Sequence, residues 1–254
     1  METVVSERPD VQVRVLQDRE SLSRAAADRF LALARESIAS AEKFTVALSG
    51  GSTPRRLFSL LGTDPYQESV DWKRAHVFWA DERAVPRDHP ESNFKLAFDT
   101  FLSAVPIPTA NIHRIKGEDG PDKAAKEYED DLRSFFEIQG LPMFDLIILG
   151  IGEDGHTASL FSGSSALGET TRLALPVYPE RSGTSRVTIT LPVLNNAAHI
   201  LFLASGHAKA NIVAGVIGEG KTSGQYPAGL VNPAHGSLEW FIDKDAAAKL
   251  SLPR

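Results

Sequence analysis

The fold is decided by residues 44–54, which read Phe44-Thr45-Val46-Ala47-Leu48-Ser49-Gly50-Gly51-Ser52-Thr53-Pro54. The first five residues form a nearly continuous apolar run, which is typical of a strand buried on both faces of a parallel sheet. Thr53-Pro54 then predicts the start of a helix, with a capping side chain and a proline in its first turn. Gly62 predicts the end of that helix. A strand, a glycine turn and a helix in this order indicate an α/β protein.

Further apolar runs lie downstream of this unit. Three of them, at 76–79, 145–149 and 199–203, show no polar alternation and predict more buried parallel strands. A fourth run, at 187–191, alternates and predicts a strand with one wetter face. The strands therefore recur along most of the chain.

Helical patterns lie between these strands, at 21–41, 122–139 and 207–217. The alternation of strands and helices predicts an α/β fold in which helices cover a mostly parallel sheet. The chain has 254 residues, a length that suits one large α/β domain. We expect a single domain over residues 1–254, with a small subdomain as the alternative.

Composition excludes several classes of protein. The chain has 27 Lys and Arg against 33 Asp and Glu, a net charge of −6, and its basic residues are scattered. Neither a nucleic acid nor a membrane surface is therefore expected as a partner. The absence of cysteine excludes disulfides, zinc–thiolate sites and cysteine nucleophiles within this sequence. Residues 1–9 contain no apolar signal segment, and no apolar run approaches the roughly 20 residues of a membrane helix, so we expect a cytoplasmic protein.

The residues that follow each strand are the candidate site residues, because ligands of open parallel sheets bind at the carboxyl ends of the strands. After the first strand, Gly50 and Gly51 let backbone N–H groups approach an anion, and Ser52 and Thr53 add hydroxyl donors. The dipole of the following helix favours negative charge at the same place. A tight turn with a helix cap is the alternative interpretation, and the concentration of donors favours a phosphate cradle.

The strand at 145–149 is followed by a glycine-rich turn that contains Asp154 and His156. Imidazole is suited to proton transfer near neutral pH, and a nearby carboxylate is placed to fix its tautomer and stabilise its cation. A lone histidine is more often structural, but Asp-Gly-His at the carboxyl end of a strand favours catalysis. The glycines of this turn also match the dinucleotide-binding pattern, but Asp154 would then lie beside the pyrophosphate, which argues against that interpretation.

Two other strand ends carry charged residues. Asp81 and Arg83 follow the strand at 76–79, and taken alone they are best interpreted as part of a solvated loop. Lys209 falls in the first turn of the helix predicted at 207–217, where a cation is unfavourable unless an anion binds nearby. Taken alone, an exposed lysine without a function is the simpler interpretation. No metal is expected, because the remaining histidines show no metal-ligand spacing: His76, His89, His113, His199 and His235.

Taken together, these segments resemble those of the 6-phosphogluconolactonases. The resemblance spans roughly residues 20 to 250, and its motifs follow in the family's order. The matching stretches are 48–54, 79–83, Ser92-Asn93, 149–161, 186–190, 206–210 and Pro227-Ala228. One departure is Ser162, where the family commonly has a proline in what we interpret as a turn.

The resemblance implies a Rossmann-like three-layer α/β/α fold with a mostly parallel sheet. This fold is shared with glucosamine-6-phosphate deaminases, ribose-5-phosphate isomerases and CoA-transferase-like proteins. It also implies hydrolysis of 6-phosphogluconolactone to 6-phosphogluconate in the oxidative pentose phosphate pathway, without a cofactor. The expected partner is this sugar-phosphate lactone, and the expected assembly is a monomer or a small homo-oligomer.

The resemblance suggests a role for each candidate residue. On this hypothesis His156 is the general base and Asp154 orients it. Arg83 is counted with the catalytic residues, and it holds either the phosphate or the sugar acid. The expected substrate-binding residues are Gly50, Gly51, Ser52, Thr53, Asp81 and Lys209.

Two other functions are compatible with many of these residues. A glucosamine-6-phosphate deaminase or a related isomerase would share the fold and the phosphate loop. The deaminase pattern, however, carries a glutamate where this chain has Phe161. A non-catalytic sugar-phosphate sensor would need the turn at 49–53 but would not need Asp154 and His156 together.

Overall fold

A computed structural model describes residues 2–5, 11–179, 183–218 and 225–250 of the chain. Most of the residues that carry the expectation about a signal segment lie outside this part. The strands are β1 (Glu2–Val5), β2 (Val11–Leu16), β3 (Phe44–Leu48), β4 (Ala75–Trp79), β5 (Asp81–Arg83), β6 (Ile112–His113), β7 (Leu146–Gly150), β8 (Ala174–Val177), β9 (Arg186–Ile189), β10 (His199–Ala204) and β11 (Ser237–Asp243). The α-helices are α1 (Arg19–Ala41), α2 (Ser52–Leu61), α3 (Tyr66–Ser69), α4 (Asn93–Ala97), α5 (Pro121–Phe136), α6 (Leu191–Asn195) and α7 (Ala210–Ile217).

The main sheet of the described chain has eight strands in the order β1-β2-β11-β10-β7-β3-β4-β6. All neighbours from β2 to β6 pair in parallel, and only β1 runs antiparallel to its neighbour β2. Helix α1 packs against β2, β3 and β11, and α2 packs against α1. The predicted α/β fold with a mostly parallel, helix-covered sheet is confirmed.

The central strands are buried on both faces, as their apolar runs predict. Every residue of β3 is buried, and in β7 the residues from Leu146 to Leu149 are buried. The apolar residues of α1 face this sheet, and the helix begins where Asp18 accepts a hydrogen bond from the Ser21 N–H at 2.8 Å. Burial of these continuous runs provides the rigid base from which the loops at the strand ends extend.

A second, smaller sheet is antiparallel, with the order β5-β9-β8. It corrects two expectations. Asp81 and Arg83 lie in strand β5 rather than in a solvated loop. The strand predicted at 187–191 is β9, and it has no wetter face, because Val187, Thr188 and Ile189 are all buried in the middle strand of this sheet. Helix α5 packs against β8 and β9 and shields them.

The helices that follow the strands start slightly differently from the prediction. Helix α2 begins at Ser52, and its N-cap is Gly51, which has no side chain, so the predicted capping side chain is wrong. Lys209 lies in a short 3-10 turn, at the N-cap position of α7 rather than within its first turn. Helices α2 and α7 nevertheless both begin after the carboxyl ends of parallel strands. The polar groups at their N-termini therefore lie at one edge of the sheet.

No helix within the described ranges has both the length and the apolar character needed to cross a bilayer. That residues 1–254 form a single domain stays a prediction.

Candidate active site

A cleft of about 210 Å³ opens at the carboxyl edge of the main sheet. The loops around it follow four neighbouring strands, β10, β7, β3 and β4. All but one of the predicted site residues line this cleft: Gly50, Gly51, Ser52, Thr53, Asp81, Arg83, His156 and Lys209. The exception is Asp154, which contacts His156. The structure therefore brings the two predicted centres, the turn at 50–53 and the imidazole at 156, to one site.

His156 and Asp154 form a close pair. The imidazole Nδ1 lies 2.6 Å from Asp154 Oδ1, and the same oxygen accepts the His156 backbone N–H at 3.2 Å. Burial tends to raise the pKa of Asp154, but the charge of His156 and its hydrogen bonds outweigh burial and lower it. An ionised carboxylate only accepts, so Nδ1 carries the hydrogen, and in the neutral imidazole the lone pair is on Nε2. The side chain of His156 is 29% exposed, so it is not a packed core histidine.

The turn that carries this pair is closed by backbone hydrogen bonds and has no room for a side chain at Gly152. The Gly152 N–H donates to the His156 carbonyl at 2.8 Å. A Cβ at Gly152 would lie 2.2 Å from His156 Nδ1. Thr157 Oγ1 donates to the Gly150 carbonyl at 2.9 Å, which ties the far end of the turn back to β7. The imidazole is thus held by its own loop, and Phe161 packs on it at a ring-centroid distance of 4.7 Å.

The turn after β3 presents polar groups to the same cleft. Ser49 Oγ is buried and has no hydrogen-bond partner among the described residues. Thr53 is also buried, and both residues line the cleft at the start of α2. A buried hydroxyl without a partner is costly, so an acceptor from a ligand would satisfy it. This observation supports the predicted anion cradle.

Two arginines face each other at the wall of the cleft. Arg83 in β5 and Arg186 in β9 are directly opposite partners in the small sheet. Burial and the nearby charge of Arg83 lower the pKa of Arg186, and the Arg186 Nε has no hydrogen-bond partner among the described residues. Like charges directly opposite on antiparallel strands are destabilising. An anionic ligand between them and Lys209 would relieve this repulsion.

Asp81 is buried beneath the cleft and is 4% exposed. Its Oδ2 accepts a hydrogen bond from Ser159 Oγ at 2.7 Å, and its Oδ1 accepts one from Asn93 Nδ2 at 3.3 Å. The carboxylate therefore has internal partners in addition to its position on the cleft wall. Its predicted role in binding substrate stays a prediction.

Sequence reasoning about individual residues missed several members of the cleft wall, and two of them, Arg186 and Asn93, are neighbours of Arg83. Arg186 arrives from the antiparallel strand β9, and its signal was a charged residue at the start of the buried run Val187–Ile189. Asn93 begins α4, and its Oδ1 accepts a hydrogen bond from Arg83 Nη1. Both belong to stretches that carry the family resemblance, but no local pattern indicated that they reach the site.

No group of three or more His, Cys, Asp or Glu side chains in the described part of the chain is placed to hold a metal ion. The cleft presents an imidazole–carboxylate pair beside a cationic, donor-rich surface. This combination is suited to proton transfer on a ligand that carries an anionic group.

Comparison with protein families places these motifs in a known group. A family model described as "Glucosamine-6-phosphate isomerases/6-phosphogluconolactonase" matches residues 17–240. The chain is 41% identical over 216 residues to "6-phosphogluconolactonase 3, chloroplastic" of Arabidopsis thaliana, a match that covers 82% of this chain and spans 65% of the length of that relative. It is 37% identical over 242 residues to "6-phosphogluconolactonase" of Synechocystis sp., which covers 94% of this chain and 98% of that one.

A solved structure from the same family is also similar to this chain. The structure of "6-phosphogluconolactonase from Trypanosoma cruzi" superposes with a TM-score of 0.83 at 28% identity, covering 94% of this chain and 96% of that chain. The likeness extends over nearly the whole sequence.

Proposed function

The chain belongs to the glucosamine-6-phosphate isomerase/6-phosphogluconolactonase family, and we propose that it hydrolyses 6-phospho-D-glucono-1,5-lactone to 6-phospho-D-gluconate. This is the lactone-opening step of the oxidative pentose phosphate pathway. The observation that carries the proposal is that the His156–Asp154 pair and the donor-rich turn at 50–53 meet at one cleft, which also has a cationic wall. Relatives named 6-phosphogluconolactonase at 37% and 41% identity support the choice of substrate.

His156 acts as the general base in the proposed reaction. Its Nδ1–H is held by Asp154, so Nε2 takes a proton from the water that attacks the C1 carbonyl of the lactone. The protonated imidazole, stabilised by the Asp154 carboxylate, then gives this proton to the ring oxygen as the C1–O bond breaks. A lactone is an activated ester, so no covalent intermediate is needed. The N–H groups of Gly152, Gly155 and His156 already donate within the glycine-rich turn, so other donors of the cleft stabilise the oxyanion.

The phosphate is held by the turn at 50–53 and by Lys209. The hydroxyls of Ser52 and Thr53, the N–H groups at the start of α2 and the Lys209 ammonium are donors suited to a phosphate. Holding the phosphate fixes C1 beside the imidazole, and such positioning is a large part of the rate enhancement in enzymes of this kind. Arg83 holds an anionic part of the substrate, and Arg186 on the facing strand joins it.

Phe161 favours the lactonase over the deaminase. Its ring packs on the imidazole of His156 at 4.7 Å and lies 5.6 Å from the Arg186 guanidinium. An apolar ring thus stands where the deaminase pattern places a carboxylate for ring opening. Incubation with glucosamine 6-phosphate should therefore release no ammonia.

The test of the proposal couples glucose-6-phosphate dehydrogenase to the purified protein and follows the disappearance of the lactone. Because this lactone hydrolyses unaided, the rate without the protein is the baseline. We expect a faster rate with the wild-type chain and a loss of about 10²–10⁴-fold in kcat for His156→Ala. The matched control is His235→Ala, an exposed histidine outside the cleft, which should keep wild-type activity. Wild-type turnover by His156→Ala would refute the assigned base.

We also propose that the protein acts in the cytoplasm, as a monomer or a small homo-oligomer. The absence of cysteine is compatible with a reducing compartment. Cell fractionation with activity measurements tests the compartment, and sedimentation of the purified chain tests the assembly.

A further inference from the structure

Glu82 is a buried carboxylate next to the cleft, and the reaction proposed above does not use it. Glu82 lies between Asp81 and Arg83 in the sequence, and it is 2% exposed. Two donors reach each of its oxygens. Oε1 accepts the N–H of Arg83 and of Asn93, both at 2.7 Å, and Oε2 accepts the N–H of Phe94 at 2.8 Å and Ser92 Oγ at 3.0 Å.

These donors belong to two different elements. One comes from β5 itself, and the other three are consecutive residues at the start of α4. A single buried side chain thus fixes the beginning of α4 against β5. Burial raises the pKa of Glu82 to about 7, and the three backbone N–H groups oppose this rise. The three backbone N–H groups therefore favour the ionised form against the effect of burial.

The element that Glu82 fixes carries Asn93, and Asn93 connects three parts of the cleft. Its Nδ2 donates to the Asp81 carbonyl at 2.8 Å, and its Oδ1 accepts from Arg83 Nη1. A Cβ on Gly50 would lie 1.8 Å from the same Oδ1, so the turn after β3 rests directly on this amide. The position of Asn93 consequently sets the direction of the Arg83 guanidinium.

We propose that Glu82 is a positioning residue of the lactonase site, which holds the start of α4 on β5 and thereby aims Arg83, through Asn93, at the anionic part of the substrate. This inference rests on the proposed function for the identity of the ligand. A glutamate that only stabilised the fold would affect the cleft equally whether or not Arg83 were present. A positioning residue acts through Arg83, so its effect disappears when Arg83 is removed.

The experiment is a double-mutant cycle of Glu82→Gln and Arg83→Ala in the full chain. The readouts are the KM for the lactone, the Kd for 6-phosphogluconate by titration calorimetry, and the Tm. In the wild-type background we expect Glu82→Gln to raise KM and Kd about tenfold, the effect of losing one well-aimed charge-assisted hydrogen bond. In the Arg83→Ala background it should change neither constant by more than about twofold. Asp71→Asn, which removes an exposed ion pair with Arg74, is the control and should leave both constants unchanged.

Equal fold-changes in the two backgrounds, or a Glu82→Gln protein with wild-type KM and Kd, would overturn the inference. If Glu82→Gln does not fold, Asn93→Ala takes its place in the cycle. That variant keeps the backbone N–H that donates to Glu82 and removes the amide that accepts from Arg83 and donates to Asp81. The outcomes also separate the two proposals. If the wild-type chain does not turn over the lactone, the proposed function is rejected. The role of Glu82 is retained in that case if Glu82→Gln raises the Kd for 6-phosphogluconate only when Arg83 is present.

Discussion

The hydrogen bond between His156 Nδ1 and Asp154 Oδ1, at 2.6 Å, controls which imidazole nitrogen is available for chemistry. Because Asp154 is ionised, it accepts the Nδ1 hydrogen and leaves the Nε2 lone pair available. Asp154 is 63% exposed, so its effect on His156 comes from direct contact rather than from a low-dielectric interior. In the proposed mechanism the pair therefore acts as an oriented base beside the cleft.

Asp154→Asn should lower kcat with little change in KM. An asparagine presents either an oxygen or an NH₂ group to Nδ1, so the tautomer is no longer fixed and the imidazolium loses its counter-charge. We expect a loss of about 10–100-fold in kcat, within the range of one proton-transfer contribution. Glu153→Gln, an exposed neighbour in the same turn, is the control for a change of charge. A main effect on KM would indicate that Asp154 contacts substrate instead.

His76, far from the catalytic pair in sequence, should make stability depend on pH. Burial, the neighbouring His113 and Lys43 lower the pKa of His76 to about 4 from its ordinary value of 6.5. Between these values the unfolded chain binds a proton that the folded chain does not. The contribution of neutral His76 to stability is therefore complete above pH 6.5 and is lost as the pH falls through 4.

His76→Gln, which cannot titrate, should reduce this dependence. Urea unfolding at several pH values between 4 and 7 should show a smaller fall in the free energy of unfolding for the variant than for the wild type. At pH 7 the variant should be less stable, because His76 packs on Phe135 at a ring-centroid distance of 4.7 Å. The exposed His235→Gln should follow the wild-type curve, and parallel curves for His76→Gln would contradict the assignment.

At the scale of elements, the cleft is built by the carboxyl ends of four adjacent parallel strands and by two strands of the small sheet. The parallel part could be predicted from sequence, because continuous apolar runs mark buried strands and their following loops meet at one edge. The turn at 50–53 and the turn with Asp154 and His156 were found in this way. The Arg83–Arg186 pairing could not be predicted, because antiparallel register between strands about 100 residues apart leaves no local pattern. The alternation of threonines with apolar residues predicted a wetter face for β9, but Thr188 is buried and its hydroxyl donates to the Ile189 carbonyl.

The contact between the turn after β3 and the start of α4 gives a prediction at this scale. A Cβ in Gly50→Ala would lie 1.8 Å from Asn93 Oδ1, so either the turn or α4 must move. We expect KM to rise more than about tenfold and kcat to change less, because the phosphate cradle moves while the His156 turn stays. Gly168→Ala, where a Cβ meets nothing within 4 Å, is the control. An unchanged KM would argue against phosphate binding by this turn.

For the whole molecule, the net charge of −6 conceals a local concentration of cations. Arg83, Arg186 and Lys209 all line one cleft of a chain that is acidic overall. Sequence composition could not show this, because the three residues come from separate segments. Net charge thus describes the solubility of the molecule and says little about its ligand.

Ligand binding should raise the thermal stability of the whole chain, because the cleft joins loops from both sheets. At 6-phosphogluconate concentrations of about 100 times Kd, binding to the folded state alone adds about 2.7 kcal/mol. For a chain of this size we expect a Tm increase of roughly 5–10 °C by differential scanning fluorimetry. Gluconate, which lacks the phosphate, should give a much smaller shift at the same concentration, and Lys209→Ala should reduce the shift with 6-phosphogluconate. Equal shifts with the two compounds would place the affinity outside the phosphate site.

The opposed arginines of β5 and β9 also affect product release. Ring opening turns an uncharged ester into a carboxylate, so the leaving molecule carries one more negative charge than the one that entered. A cationic wall retains that molecule more firmly, and we expect 6-phosphogluconate to inhibit competitively, with an inhibition constant below the KM of the lactone. Added salt screens such attraction, so progress curves at higher ionic strength should slow less as product accumulates. In the cell, the rate at which another enzyme consumes 6-phosphogluconate would then limit the rate of lactone hydrolysis.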